Sequence, residues 1–262
     1  MAKRKKKNSF LNGVIFILFI AIVIFLIPPK DNKTVEDKSK NENKTNQVEN
    51  KNSTKQNNNY STTLDSETLK TLVAPSEKDF SEKESYKVIN ANVPFFTKED
   101  LKSQSFESYS PLDKLGRVSV ANATIGIDIM PKEKRREINK VHPSGWVANK
   151  NRHVYDRCHL IGFQLAGEND NEKNLMTGTR TLNVAGMLPF ENEIANYVKR
   201  TKNHVRYRVT PIFKNDDLVA QGVLMEAKSI EDDGKGVMFN VFCYNAQKGV
   251  NIDYKTGHYT LL

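Results

Sequence analysis

A long run of residues without a charged side chain constrains the fold of this chain more than any other feature. Residues 10–29 read FLNGVIFILFIAIVIFLIPP, which is about the length that crosses a bilayer as a helix. The basic residues in the preceding MAKRKKKNS favour a cytoplasmic N-terminus. We therefore expect a cytoplasmic basic tail at 1–9 and a single-pass transmembrane anchor at 10–29.

A cleaved signal peptide is the first alternative for this run, because it has the same basic start and apolar core. A small-x-small cleavage site should then follow the core, but Ile27, Pro28 and Pro29 stand there instead. The anchor is therefore preferred over secretion after cleavage, and a buried helix of a soluble protein is the remaining alternative.

The segment after the anchor is polar and predicts a disordered linker. Residues 30–76 are rich in Asn, Lys, Thr and Ser, and such a composition buries too little apolar surface to offset the entropy of ordering. The folded domain is therefore expected at 77–262, tethered on the outer side of the cytoplasmic membrane.

The formal net charge of +9 gives only weak evidence for a nucleic-acid-binding surface on this domain. Residues 1–75 contain 13 basic and 7 acidic side chains, whereas the rest of the chain contains 27 and 24. Most of the excess therefore belongs to the tail and the linker.

The order of predicted strands and helices in the domain predicts an α+β fold with a central antiparallel sheet. Strand-like residues occur at 84–96 and at 152–163, and VSVANATIGIDI predicts a strand pair or one bent strand. Three good strands follow near the end of the chain, in VRYRVTPIF, VAQGVLMEAKSI and VMFNVFCYNA.

Two helices are expected in the domain. A proline followed by charges in PKEKRREINKV predicts a helix over 131–141. The spacing of Leu188, Ile194, Ala195 and Val198 predicts another from about Met187 onward.

The two cysteines, Cys158 and Cys243, lie far apart in the sequence. This spacing suits either one disulfide outside the cell or two buried thiols, and it does not suggest a zinc site. We expect free thiols, because Cys243 lies in an apolar strand.

The hexapeptide YDRCHL at 155–160 places an acid, a guanidinium, a thiol and an imidazole in a row. Downstream, NLMTGTRTLNVAGMLPFE supplies Asn174, Asn183 and Glu191. Asn183 and Glu191 are separated by about two helical turns, so they project to a similar side if both are helical. An imidazole base, an amide oxygen, a carboxylate and a guanidinium suit phosphodiester hydrolysis with a hard cation.

These residues resemble the DNA/RNA non-specific endonuclease family, which has the ββα-metal (His-Me finger) fold, and its membrane-anchored DNA-entry branch in Gram-positive bacteria. The signature Asp-Arg-Gly-His of that family is matched by residues 156–159. Its metal-binding Asn is matched by Asn183, a second Asn nine residues earlier by Asn174, and a Glu eight residues later by Glu191. LDKLGRVSVANATI and MPKEKRREINKVHPSGW are also similar to that branch, and the resemblance covers about residues 90–262.

The resemblance implies a role for each of these side chains. His159 is expected to act as general base and Asn183 to hold one Mg²⁺, for which Mn²⁺ could substitute. Glu191 is expected to orient a water of that ion, and Arg157 to contact the phosphate. Asp156 is expected to support the site rather than take part in the chemistry.

The sequence departs from the family pattern at two positions. Cys158 replaces the Gly of the signature, and it would be strained if the backbone there required glycine. Ala195 stands where some relatives have an Arg, so a further phosphate contact must come from elsewhere, such as Arg180 or Arg200. Asn174 is a further candidate for substrate binding.

Several charged side chains have a simpler interpretation. The remaining histidines are expected at the surface or in turns; they are His142, His153, His204 and His258. The run Lys134, Arg135, Arg136 is typical of a solvated helix face, although it could guide DNA.

The function expected from the sequence is sequence-non-specific, metal-dependent cleavage of DNA, and also of RNA, at the outer cell surface. A DNA-uptake machinery or an inhibitor protein is the expected protein partner. Two alternatives remain at this point: a surface nucleic-acid-binding protein that has lost most activity because of Cys158, and a secreted nuclease toxin.

Overall fold

The computed structural model describes residues 80, 81 and 83–262. The tail, anchor and linker predicted at 1–9, 10–29 and 30–76 lie outside the described residues. None of the helices within the described part is both long enough and apolar enough to span a bilayer.

A six-stranded antiparallel sheet forms the centre of the domain, as the sequence predicts. In spatial order its strands are β1 (Tyr86–Val88), β8 (Met238–Tyr244), β7 (Gly222–Ser229), β6 (Val205–Ile212), β3 (Ala121–Ile125) and β2 (Phe106–Tyr109). The three strands predicted near the end of the chain are β6, β7 and β8, and they are confirmed.

The remaining elements lie around this sheet. Within the described residues they include a pair of strands, β4 (Tyr155–His159) and β5 (Leu175–Thr179), a second pair, β9 (Val250–Ile252) and β10 (Tyr259–Leu261), and the α-helices α1 (Phe163–Ala166) and α2 (Leu188–Thr201). A π-helical turn at Leu182–Met187 leads directly into α2.

The central strands are buried on both faces, and their side chains alternate between two different environments. In β6, Tyr207 and Val209 belong to the main apolar core, while Arg208 points to the opposite face. There Arg208 pairs with the buried Glu226 at 2.7 Å, and Glu226 also accepts a hydrogen bond from the backbone N–H of Phe95 at 2.7 Å. The segment before β2 therefore covers this second face.

Helix α2 packs one apolar stripe against the first face. Its buried residues include Glu191, Ile194, Ala195 and Val198, which follow the i, i+3, i+4, i+7 spacing of one helix face. The helix ends at Thr201 and is followed by Lys202, which has a left-handed backbone. The helix predicted from about Met187 is thus confirmed.

The helix predicted over 131–141 is wrong, because this segment is an irregular loop. Ile138 and Val141 are too few to form an apolar stripe, and other parts of the chain bind its backbone instead. Arg157 donates to the carbonyls of Val141 and Asn139. The strand predicted over 84–96 is also shorter than expected, since β1 ends at Val88 and left-handed residues follow at 90–92.

Both cysteines are free and buried, as expected. Cys158 lies in β4 with a negative φ, so its backbone does not require glycine. Its sulfur occupies the space beside Gly178 on β5, where an added β-carbon would overlap it. The side chain at 158 is therefore accommodated by the absence of one at 178.

We expect the effects of substitutions at 158 and 178 to be coupled. Gly178→Ala should destabilise the parent by about 1–3 kcal/mol, the usual cost of overpacking, and should cost clearly less in a Cys158→Gly background, where the sulfur is gone. Urea unfolding of the four proteins measures this coupling as a double-mutant cycle. Equal costs in the two backgrounds would show that the sulfur does not set the requirement for Gly178.

Candidate active site

The predicted site residues lie on a two-stranded ribbon followed by a helix. In the β4/β5 ribbon, Asp156 pairs with Gly178 and His159 with Leu175. The Asn174 side chain closes the far end of the ribbon, because it accepts from the N–H of Ile161 at 2.9 Å and donates to the carbonyl of Ile161 at 3.0 Å. The ribbon and the helix after β5 hold the candidate groups in fixed positions.

A cleft of about 440 Å³ opens beside this ribbon. It is lined by the exposed loop before β4, by β4 itself and by the start of the π-helical turn. Its charged and amide side chains include Arg135, Asp156, Arg157, Arg180 and Asn183. Three guanidinium groups in one cleft make it suited to bind an anion.

The ring of His159 is buried next to this cleft in one defined tautomer. Its Nε2 lies 2.7 Å from the carbonyl oxygen of Asn169, and a carbonyl only accepts, so Nε2 must carry the proton. The lone pair of the neutral ring is then on Nδ1, which faces Arg135 of the cleft at 3.5 Å. Burial, together with Arg135, lowers the pKa of His159 to about 4 despite the bond to Asn169, so the ring is neutral at pH 7.

The carboxylate of Asp156 accepts three hydrogen bonds at the wall of the cleft. The donors are Nε2 of His153 at 2.6 Å, Nη1 of Arg180 at 3.1 Å and Nδ2 of Asn183 at 2.8 Å. Burial opposes ionisation, but these bonds outweigh it and lower the pKa of Asp156. Because Nδ2 of Asn183 donates to Asp156, Oδ1 is the amide atom that has no hydrogen bond among the described contacts.

Arg157 lines the cleft but also braces the loop before β4. Its Nε donates to the carbonyl of Val141, its Nη2 donates to the carbonyl of Asn139 at 2.8 Å, and its guanidinium lies 4.1 Å from the ring centre of Trp146. Contact with a phosphate therefore stays a prediction for Arg157, whereas its support of the loop is visible in the structure.

The carboxylate of Glu191 is buried outside the lining of the cleft. It lies against Gly162. Burial raises the pKa of Glu191 to about 7, while the backbone of Gly162, the side chain of Gln164 and the charge of Arg135 act in the opposite direction. Arg135 is thus electrostatically coupled to both His159 and Glu191.

The other two candidates are not brought to the cleft. Asn174 is fully buried, and its amide is bonded at both ends to Ile161. Arg200 is exposed in the last turn of α2, at the opposite end of the helix from Asn183. Ala195, where some relatives have an Arg, is buried in the core.

The sequence does not predict three residues of the site. It favours a solvated helix face for Arg135, with guidance of DNA as the alternative, and the surface for His153, and it gives no role to Asn169. His153 is indeed exposed, but its ring bonds Asp156. The alternation of His153, Tyr155 and Arg157 along one strand could have pointed to His153.

Comparison with known proteins identifies the family of this chain. NucA from Streptococcus agalactiae, whose structure has a magnesium ion bound, is 29% identical with a TM-score of 0.61, over 70% of this chain and 89% of that one. Sda1 nuclease, whose structure has a zinc ion bound, is 29% identical with a TM-score of 0.52, over 60% of this chain and 81% of that one. Residues 97–231, just over half of the chain, match the sequence model described as DNA/RNA non-specific endonuclease. This chain therefore belongs to the DNA/RNA non-specific endonuclease family and is an endonuclease that acts on nucleic acid.

Proposed function

We propose that this endonuclease cleaves DNA, and also RNA, in a metal-dependent and sequence-non-specific reaction, with His159 as general base and Asn183 as the protein ligand of Mg²⁺. The observation that carries the proposal is the single tautomer of buried His159, whose unprotonated Nδ1 faces Arg135 in a cleft lined by three arginines. Such a cleft recognises backbone phosphate, which is the same for every sequence.

His159 is suited to take a proton from the attacking water. A positioned base must have its lone pair free at the working pH, and the lowered pKa of His159 meets this condition at neutral pH. A pKa of about 4 alone would make a weak base. A bound phosphate beside Arg135 would neutralise the nearby positive charge and raise the basicity of the ring.

The residues present fit a hard divalent cation at Asn183. A neutral amide oxygen is a ligand that Mg²⁺ accepts, and this ion usually keeps most of its waters and uses few protein ligands. When bound, Mg²⁺ or Mn²⁺ would supply positive charge to offset the charge that develops on the phosphate. The magnesium in NucA and the zinc in Sda1 support a divalent cation in this chain as well.

The arginines would share the binding of the phosphate. Arg180 is exposed and bonds Asp156 through one nitrogen only among the contacts described, so other N–H groups remain available. Arg135 is also exposed and reaches the base. We propose these two as the main phosphate contacts, with Arg157 contributing from its place on Trp146.

We further propose that residues 10–29 anchor the protein in the cytoplasmic membrane, with the nuclease domain outside. The basic tail and the uncharged run support this topology. Substrate DNA would then be cut at the outer surface, where uptake machinery or an inhibitor protein could contact the domain. The alternative of a weakly active binding protein depended on strain at Cys158, and the negative φ of that residue removes this argument.

The division of labour between His159 and Asn183 can be tested with two variants of the full-length protein. His159→Gly should lower plasmid cleavage by about 10²–10⁴-fold, since a positioned base is lost, and added imidazole should restore part of the rate. Asn183→Ala should be equally impaired but should not respond to imidazole. His258→Gly, at an exposed turn, is the control and should cut like the parent. Near-parent rates for both site variants, with intact circular dichroism, would refute the assignment.

The raised pKa of Glu191 makes a prediction for stability without metal. Between its unfolded value of about 4.5 and its folded value of about 7, the native state holds a proton that the unfolded state releases. The contribution of this proton to the free energy of unfolding is therefore lost as pH rises through this window, by at most about 1.4 kcal/mol per pH unit. Glu191→Gln keeps an acceptor for Gly162 but does not titrate.

Urea unfolding in EDTA at pH 5 and pH 8 measures this effect. The free energy of unfolding of Glu191→Gln should rise relative to the parent between the two pH values. A difference between the two proteins that does not change with pH would show that Glu191 has an ordinary pKa in the native state.

The topology can be tested on intact cells. Protease added outside should remove the nuclease domain, because the linker at 30–76 would be accessible, while a cytoplasmic marker protein should survive. Immunoblotting against the domain reads the result. A domain that stays protected until the cells are lysed would place it inside and contradict the proposed orientation.

A further inference from the structure

The orientation of the Asn183 amide depends on a neighbour. Its Nδ2 lies 2.8 Å from Oδ2 of Asp156, and a carboxylate can only accept. The reversed amide would place two acceptor oxygens face to face. Asp156 therefore determines which atom of Asn183 is presented as a ligand, provided that the carboxylate is itself held in place.

Two other side chains donate hydrogen bonds to Asp156, and only one of these two is a candidate to bind the substrate. Arg180 shares Oδ2 with Asn183 and is a candidate to leave for a phosphate. His153 bonds the other oxygen, Oδ1, at 2.6 Å. His153 therefore continues to fix the carboxylate when Arg180 turns to the substrate.

The backbone of His153 is fixed relative to the segment that carries Asn183. The side chain of Gln247 donates from Nε2 to the carbonyl of His153 at 3.1 Å, and its Oε1 accepts from the backbone N–H of Thr181 at 3.4 Å. Gln247 is 8% exposed, so water competes little for these bonds. One buried amide thus ties His153 to the turn two residues before Asn183.

We propose that His153 is a positioning residue for the metal: it fixes Asp156, which orients Asn183 so that Oδ1 faces the cation. This inference rests on the proposed role of Asn183 as metal ligand. Partners of this kind usually change metal affinity or activity by about 10–100-fold when removed. The His153 side chain is 56% exposed, and exposed ion pairs contribute little to stability, so metal binding should change far more than folding.

The chain offers a matched control. His204 forms a pair of the same length with Glu231, from Nδ1 to Oε1 at 2.6 Å, and the backbone N–H of His204 bonds the other carboxylate oxygen at 2.8 Å. Neither residue lines the cleft. A substitution at His204 therefore removes an equivalent histidine–carboxylate bond away from the proposed metal ligand.

The experiment makes two measurements on the full-length protein. Electron paramagnetic resonance of free Mn²⁺ measures Mn²⁺ binding without nucleic acid, and plasmid cleavage is measured as a function of Mg²⁺ concentration. His153→Phe keeps a ring but has no donor, and His153→Gln keeps an N–H donor. We expect His153→Phe to weaken Mn²⁺ binding about 10–100-fold and to need more Mg²⁺, with a cleavage rate near that of the parent at saturation. His153→Gln should recover part of the affinity, and His204→Phe should bind like the parent.

The Asn183→Ala variant distinguishes a failure of the inference about His153 from a failure of the proposed role of Asn183. Loss of the Mn²⁺ site in Asn183→Ala together with parent-like binding in folded His153→Phe would overturn the inference and leave the proposed function intact. Parent-like binding in Asn183→Ala would overturn the proposed ligand, and the role of His153 with it. Should His153→Phe fail to fold, Mn²⁺ binding by His153→Ala decides in the same way.

Discussion

One buried amide joins the β4/β5 ribbon to the central sheet. Asn245, at the end of β8, is fully buried; its Oδ1 accepts from the N–H of Thr179 at 2.7 Å, and its Nδ2 donates to the carbonyls of Thr177 at 3.0 Å and Ala220 at 2.9 Å. Among the described strands β5 pairs with β4 alone, so without Asn245 the groups of Thr177 and Thr179 would lose these partners in a buried place, at about 1–3 kcal/mol each. This side chain therefore helps to fix the ribbon relative to the sheet.

The ribbon held in this way places two ionisable groups in opposite environments. Asp156 faces donors at the cleft and is kept ionised, whereas His159, three residues further along the same strand, is buried and kept neutral. The proposed reaction needs both at the same pH, an anion that orients the metal ligand and a neutral ring that can accept a proton. The environment of each group lowers its pKa and so reinforces the state that its residue type already favours at neutral pH.

The sequence predicted the parts of the fold that have a local pattern. Alternating apolar residues identified β6, β7 and β8, and helical spacing identified α2. The segment 131–141 had a helix-like start but no apolar stripe, and side chains distant in sequence bind its backbone. Local rules could not reveal this, because the bonds that replace the helix come from Asn169 and Arg157.

The same distinction separates the site residues that could be predicted from those that could not. His159 and Asn183 belong to a motif of fixed spacing, and the motif alone indicated their chemistry. Arg135 and His153 were missed because their role depends on which side chain lies opposite. Gln247 is 94 residues from the His153 carbonyl that it bonds, and no periodicity encodes such a pair.

Cys158, which stands where the family signature has Gly, shows how a contact between residues distant in sequence explains a departure from a motif. From the sequence, Cys158 would be strained if the backbone at this position required glycine. The answer lies in the strand opposite, where Gly178 leaves room for the sulfur, and in a backbone that any residue can adopt. A departure from a family motif is therefore best judged together with the residue that faces it, because close packing ties the two volumes to each other.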